Sequence, residues 1–358
     1  MIDVFGSVRG LLKLDIVCID NNIFRLHYKI TVIMLVIFSL IVTTHQYVGD
    51  PIDCLVVGVP THIMNSYCWT HSTLIVDRKV RGRIGKYAVQ PGVGPYLEGQ
   101  DVVNYQKYYQ WVCFVLFFQA VCFYIPRYVW KTFEGGRIRV LVSDLNDVMV
   151  DKERKSNSIN QLVEYFTVNL HMHNLYAIWF FTCEVLNFVN VVGQMLFLNY
   201  FFEDEFRTYG LDAFRFVVMD PKERGDPMSR IFPKVTKCTF EKYGTSGTIQ
   251  KFDGLCLLPL NVVNEKIYVF LWFWFLFIAV VSGFNLVYRT AVVISSKFRL
   301  LLLRKESHLS PWNELITINE KFKIGDWFIL YQIGKNCEPG IFKDLVTNLA
   351  NSFKWTDV

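Results

Sequence analysis

The sequence predicts an all-α polytopic membrane protein. It should have four transmembrane helices per subunit, an amphipathic N-terminal helix, disulfide-braced extracellular loops with a small β-hairpin, and a helical cytoplasmic loop and tail. Three observations lead there. Four long apolar runs cross the 358 residues, which are 52% hydrophobic with a mean hydropathy of +0.27. Lys and Arg are shared unequally among the intervening segments. Four of the nine cysteines fall two by two in alternate loops.

Residues 1–27 contain Asp3, Arg9, Lys13, Asp15, Asp20 and Arg25, without the apolar core or cleavage site of a signal peptide. Ile2, Phe5 and Val8, with Leu12 behind them, recur at helical spacing and predict an amphipathic segment. The plain alternative for such a segment is an interfacial helix lying on the inner leaflet. The first span covers 28–47 and has no charge after Lys29; the second, 108–128, is charge-free until Arg127. The third, 175–202, has Glu184 as its only acid, and the fourth, 267–288, carries no charge. Each supplies the ~20 residues that a helix needs to cross hydrocarbon. In lipid the backbone must satisfy its own hydrogen bonds, so the runs should be helices. Pro126 withholds one N–H from the second and predicts a kink.

The first outer loop, 48–107, is turn-rich, with Gly49-Asp50-Pro51 and the Gly/Pro cluster at 90–95. The cytoplasmic loop, 129–174, has helical patterns near 137–150 and 159–171, separated by a charge run at 151–155. The second outer loop, 203–266, opens on Glu203-Asp204-Glu205. A strand-like stretch over 234–242, a turn at 244–247 and a second stretch to Cys256 then predict a hairpin. The tail, 289–358, carries ten basic residues, which favour an anionic inner leaflet. Orientation follows from Lys and Arg in 20-residue windows beside the spans: twelve on the side of the termini, six on the other. That bias predicts both termini in the cytoplasm.

Under this topology Cys113, Cys122 and Cys183 lie in spans, and Cys18 and Cys337 are cytoplasmic free thiols. Cys54 and Cys68 of the first loop and Cys238 and Cys256 of the second remain for an oxidising compartment. Four cysteines allow three pairings, and spacing leaves all three open. Zinc is a poor competitor, because neither pair has CxxC-like spacing.

Several function classes are disfavoured. The net charge of +5 is mostly the excess beside the termini and does not indicate nucleic-acid binding. No nucleophile elbow, metalloprotease, P-loop or Rossmann signature occurs, so no catalytic residue, cofactor or metal site is expected and the chain does not read as an enzyme. His171-Met172-His173 resembles a metal pair, but side chains two apart on a helix diverge by about 200°. It reads as a polar interfacial segment. Glu184, Asn187, Asn190 and Gln194 share one face of the third span, roughly 120° wide. They are expected to hydrogen-bond to other helices within the subunit, with a water-facing role as the alternative.

Specific residues go beyond topology. Tyr108-Tyr109-Gln110-Trp111-Val112 heads the second span, followed by Pro126-Arg127-Tyr128 and Trp130. The second loop carries Phe232-Pro233-Lys234-Val235-Thr236-Lys237-Cys238, then Cys256, Pro259-Leu260-Asn261 and Asn264-Glu265-Lys266-Ile267-Tyr268. The tail carries Gly325-Asp326-Trp327-Phe328 and Leu330-Tyr331-Gln332. With two cysteines per outer loop, this set resembles the innexin family, in its arthropod form, over nearly the whole chain. Connexins typically have three cysteines per loop.

The resemblance implies a gap-junction channel subunit at the plasma membrane, passing ions and small solutes passively. It implies an eight-fold hemichannel that docks with a second one on the adjacent cell, with other innexins and membrane lipids as further partners. It also implies disulfides Cys54–Cys256 and Cys68–Cys238, and an N-terminal segment folded into the pore, with Ile2, Asp3, Phe5 and Val8 as lining candidates. The chain has no Asn-x-Ser/Thr acceptor, which favours docking over the alternative of an undocked hemichannel releasing small metabolites such as ATP.

Overall fold

A computed structural model describes residues 17–76, 90, 92–95, 101–143, 145, 152–218 and 228–356. Ile2, Asp3, Phe5 and Val8 lie outside the described residues. Four helices are long and apolar enough to cross a membrane: α1 (Asn22–Tyr47), α3 (Val112–Glu134), α6 (Asn174–Phe201) and α9 (Pro259–Ile294). Asn21 caps α1, its side-chain oxygen accepting from the Phe24 amide at 2.7 Å. One turn of α1, Leu26–Thr31, is π-helical and buries His27, Tyr28 and Thr31 together. Pro126 lies within α3.

The chain divides into two compact units, with boundaries inside these four helices. One unit comprises residues 32–121 and 191–278 and holds both cysteine-paired loops; the other comprises 1–31, 122–190 and 279–358 and holds the termini and the middle loop.

In the loop-bearing unit, the segment after α1 forms β1 (Asp53–Leu55), α2 (Thr61–His71), β2 (Thr73–Val76) and β3 (Val103–Gln106). The segment after α6 forms α7 (Phe206–Val218), α8 (Met228–Ile231), β4 (Val235–Tyr243) and β5 (Ile249–Leu257). The expected hairpin is β4–β5, with Phe240 opposite Phe252 and Tyr243 opposite Ile249. It is the centre of something larger, a five-stranded sheet in the order β1-β5-β4-β2-β3. The first loop supplies the outer strands on both sides, through Cys54↔Cys256 and Leu74↔Lys237. Sequence patterning did not disclose those three strands or α2. They are too short for a periodicity signal and sit among Gly and Pro residues.

In the terminus-bearing unit, the middle loop forms α4 (Arg137–Val142) and α5 (Lys152–Val168). α5 begins at Lys152 rather than near Ile159, so the charge run from 152 to 155 is its first turn. The tail forms α10 (Ser296–Glu306), α11 (Trp312–Lys321), α12 (Ile324–Asn336) and α13 (Pro339–Thr356). One core joins them, with Phe24, Trp130, Phe166, Tyr176, Phe180, Trp327, Phe328 and Phe342 buried together.

Gly325 shows how tightly this core is closed. A Cβ there would lie 2.2 Å from the backbone carbon of His173 and 2.4 Å from the Asn174 nitrogen. Neither backbone atom can swing aside. Gly325→Ala should therefore cost about 1–3 kcal/mol by overpacking, measurable as a lower thermal unfolding midpoint of the purified protein. An unchanged midpoint would mean that this approach is not tight.

Candidate functional site

Two disulfides join the two loops to each other. Cys54–Cys256 bridges directly opposed residues of β1 and β5, with Cα atoms 4.0 Å apart. Cys68–Cys238 ties α2 to β4 across 6.0 Å between Cα atoms. All four cysteines are buried with Ile52, Met64 and Leu258, so each bond lies in a small apolar core. These are the pairs the family resemblance implies. Each is worth ~2–4 kcal/mol through restriction of the unfolded chain. Ion pairs reinforce the sheet, Lys237–Asp253 at 2.9 Å and Lys251–Glu241 at 3.2 Å. The Asp253 carboxyl, partly desolvated, is nevertheless held below its ordinary range by Lys237, Thr239 and Lys251.

The Tyr-Tyr-Gln-Trp segment at the head of α3 connects both loops. Tyr108 sits edge-on against Phe202 and Phe232 at centroid distances of 5.5 and 5.7 Å, and its hydroxyl donates to the Ile231 carbonyl. Tyr109 stacks beside Trp69 at 4.9 Å and donates to the Cys68 carbonyl at 3.3 Å. Gln110 donates to the Trp69 carbonyl. Two consecutive residues thus hold the end of α2 beside a disulfide. Trp111 is 59% exposed, where an interfacial tryptophan belongs. Asn261 donates to the Pro233 carbonyl at 2.9 Å, and Glu265 pairs with Lys234 and Lys266 at 2.8 and 2.6 Å. The sequence blocks at 232–238 and 259–268 are thereby parts of one contact set.

In the other unit, residues 18–21 are held from several sides. Asp20, 2% exposed, accepts from Arg25 at 2.8 Å, Tyr28 at 2.9 Å and Arg127 at 3.0 Å. The Trp130 indole donates to the Ile19 carbonyl at 3.1 Å. Asn336 of α12 brackets Cys18, its Oδ1 accepting from the backbone N–H at 2.6 Å and its Nδ2 donating to the carbonyl at 2.8 Å. Asn21 donates to Glu184 at 2.6 Å.

Glu184 is the best-satisfied charge in the spans. Arg289 donates Nε to Oε2 and Nη2 to Oε1, both at 2.7 Å, and Asn285 adds a bond at 3.1 Å. Both ions are buried. The sequence pattern predicts interhelical bonding at Glu184, but Arg289, just beyond the apolar run, reads as tail. α9 in fact continues to Ile294 and carries that cation inside the bundle. Nearby, His27 Nε2 lies 2.7 Å from Ser282 Oγ, and Asn187 shares the same small cavity.

His171 and His173 stand in a turn after α5 rather than on a helix, with His171 at φ 69°. Both converge on buried Asp326. Nδ1 of His173 lies 2.7 Å from Oδ1, Nδ1 of His171 lies 3.2 Å from Oδ2, and the His171 amide donates to both oxygens. An ionised carboxylate only accepts, so both rings donate from Nδ1. Nε2 of His173 then faces the Tyr165 hydroxyl at 2.8 Å. Burial alone would raise the Asp326 carboxyl, yet the histidine donors outweigh it and hold the group below its usual value. Burial pushes the Cys337 thiol up to about 12, which leaves it protonated and unreactive. Among the described residues, the one group of three potential ligands at metal-binding spacing is Cys54, Cys68 and Cys256, all consumed by disulfides.

Four apolar spans and two mutually cross-linked loops define a multi-pass, tetraspan membrane protein with a cystine-tied loop face. Comparison with known proteins narrows this. The innexin family model matches residues 20–353. The chain is 59% identical to innexin inx2 of Schistocerca americana over the full length of both. It is 58% identical to innexin inx2 of Drosophila melanogaster, covering 98% of this chain and 95% of the relative, and 44% identical to innexin shaking-B of the same species over the same shares. The chain belongs to the innexin family, and innexins are gap-junction channel proteins.

Two expectations follow. Glu184→Leu alone strands a buried guanidinium and should cost about 3–5 kcal/mol, read as a fall in unfolding midpoint. The double variant with Arg289→Leu should recover much of that loss, whereas additive losses would show that the two ions are not coupled. The depressed Asp326 value means its contribution is complete above the ordinary 3.8 and fades only as pH falls further. Asp326→Asn should therefore lower the midpoint at both pH 7 and pH 5; a deficit confined to strongly acidic pH would contradict this assignment.

Proposed function

We propose that the chain assembles as an eight-membered hemichannel, that two hemichannels dock end to end between adjacent cells, and that both termini lie in the cytoplasm. The observation that carries the reading is the joint sheet of the two loops, in which both disulfides run between loops rather than within one. A docking face must keep its shape without a partner, and a cross-linked sheet does so. The twelve-to-six excess of Lys and Arg beside the termini supports the orientation. The lack of glycan acceptors leaves the face unobstructed.

Under this reading the segment N-terminal to Cys18 enters the pore, and Ile2, Asp3, Phe5 and Val8 line it. The reason is the fixed point from which that segment starts. Cys18 to Asn21 are tied to α3, α6 and α12. A ring supplies what one subunit lacks, since a single four-helix bundle has too little polar surface to enclose a water-filled path.

Paired-cell recording tests the whole reading. Cys54→Ser or Cys238→Ser should abolish most junctional conductance, and Asp3→Asn should change single-channel conductance while coupling persists. Normal coupling after either cysteine change would refute the docking role of the sheet. Dye uptake by single cells without coupling between pairs would instead mark an undocked channel.

A further inference from the structure

The helix α7 has two unlike faces. Phe206, Tyr209, Gly210 and Ala213 are buried. At Gly210 a Cβ would lie 2.1 Å from the Trp272 ring, and the Tyr209 hydroxyl donates to the Glu265 carbonyl at 3.3 Å. The opposite arrangement holds for Arg207, Leu211, Phe214 and Val218. At about 100° per residue these four fall within an arc of roughly 60°. The three apolar members are 49%, 63% and 73% exposed. Such a stripe would be costly in water.

Its level along α9 identifies what covers it. Lys266 is the last charge before the apolar run that begins at Ile267. The contacts of α7 at Glu265 and Trp272 bracket that point, about 10 Å apart along the α9 axis. They therefore straddle the boundary between water and hydrocarbon. The chain also reaches α7 directly from a membrane span. Near its end, α6 exposes Leu196 and Tyr200, by 67% and 83%. Asn199 then fixes the turn, donating to Asp204 at 2.6 Å and accepting from the Arg207 amide at 2.9 Å. The exposed stripe thus follows in sequence, within a few residues, on an exposed apolar end of a span.

We infer that α7 is an interfacial helix that binds phospholipid. Acyl chains cover Leu211, Phe214 and Val218, and a phosphate lies beside Arg207, the combination expected of a helix lying in the headgroup boundary. The inference requires only that α6 and α9 span the bilayer, whichever side α7 occupies. It is separate from docking.

Photo-crosslinking of the full-length protein in phosphatidylcholine bilayers tests it. The crosslinker p-benzoylphenylalanine is placed at Phe214, at Leu211 as a second stripe position, at Leu196 as a span control and at Arg215 on another face. Only protein migrating at the native oligomer size is analysed. The expected result is a mass increase of one phospholipid at Phe214, Leu211 and Leu196, with none at Arg215. A covalent subunit dimer from Phe214 and Leu211 would overturn the inference in favour of a second copy of the chain. Absence of any adduct at both, with a lipid adduct at Leu196, would overturn it in favour of solvent.

Discussion

Apolar helices in hydrocarbon gain little from touching each other, because lipid tails are as apolar as leucine. That constraint governs this molecule. Its spans are tied where polar groups find partners that lipid cannot provide, and where small residues let surfaces close. The Glu184–Arg289 pair is the strongest example: two ions too costly to expose, satisfied by each other and by Asn21 and Asn285. Asp20 repeats the principle with Arg25, Tyr28 and Arg127. Ser39 does so more weakly, donating to the Cys113 carbonyl at 2.9 Å. Removing Glu184 or Arg289 alone leaves a buried charge without its counter-ion, which makes the pair specific to this arrangement.

The loop-bearing unit follows a different rule. Its two loops lie beyond the apolar runs, where hydrophobic burial operates, but their segments are short and rich in turns. No single loop could close a stable sheet. Pairing across the loops joins the β2–β3 and β4–β5 pairs and gives β1 its partner, and the disulfides fix that pairing against the entropy of two long excursions. The head of α3 then joins sheet to span, since Tyr109 and Gln110 grip the carbonyls of Cys68 and Trp69.

Much of this was legible in the sequence, for physical reasons. Twenty-residue apolar runs have few alternatives to a spanning helix, and cysteines sorted by compartment point to disulfides. The β4–β5 hairpin announced itself by its turn. What stayed hidden were partnerships between distant positions. Arg289 looked like tail because its run of apolar neighbours ends at Tyr288. The two histidines diverge on a helix, whereas a turn with a positive φ brings both onto Asp326. Asp326 gave no sign of its own, since a single acid in a tail is usually solvated. The Gly325-Asp326-Trp327-Phe328 block becomes intelligible only once its neighbours are known. Gly325 permits close approach, Asp326 collects donors, Trp327 donates to the Arg299 carbonyl and Phe328 fills the core.

The nesting of the two disulfides has a topological meaning. The Cys68–Cys238 ring, which spans 170 positions, lies wholly inside the Cys54–Cys256 ring, which spans 202. A peptide bond cut anywhere between residues 68 and 238 therefore opens both rings yet separates nothing. The two fragments stay joined twice over, through bonds that reducing agents alone can break. In covalent terms the middle of the chain, including α5 and two of the spans, is a bridge that can be severed without detaching either end.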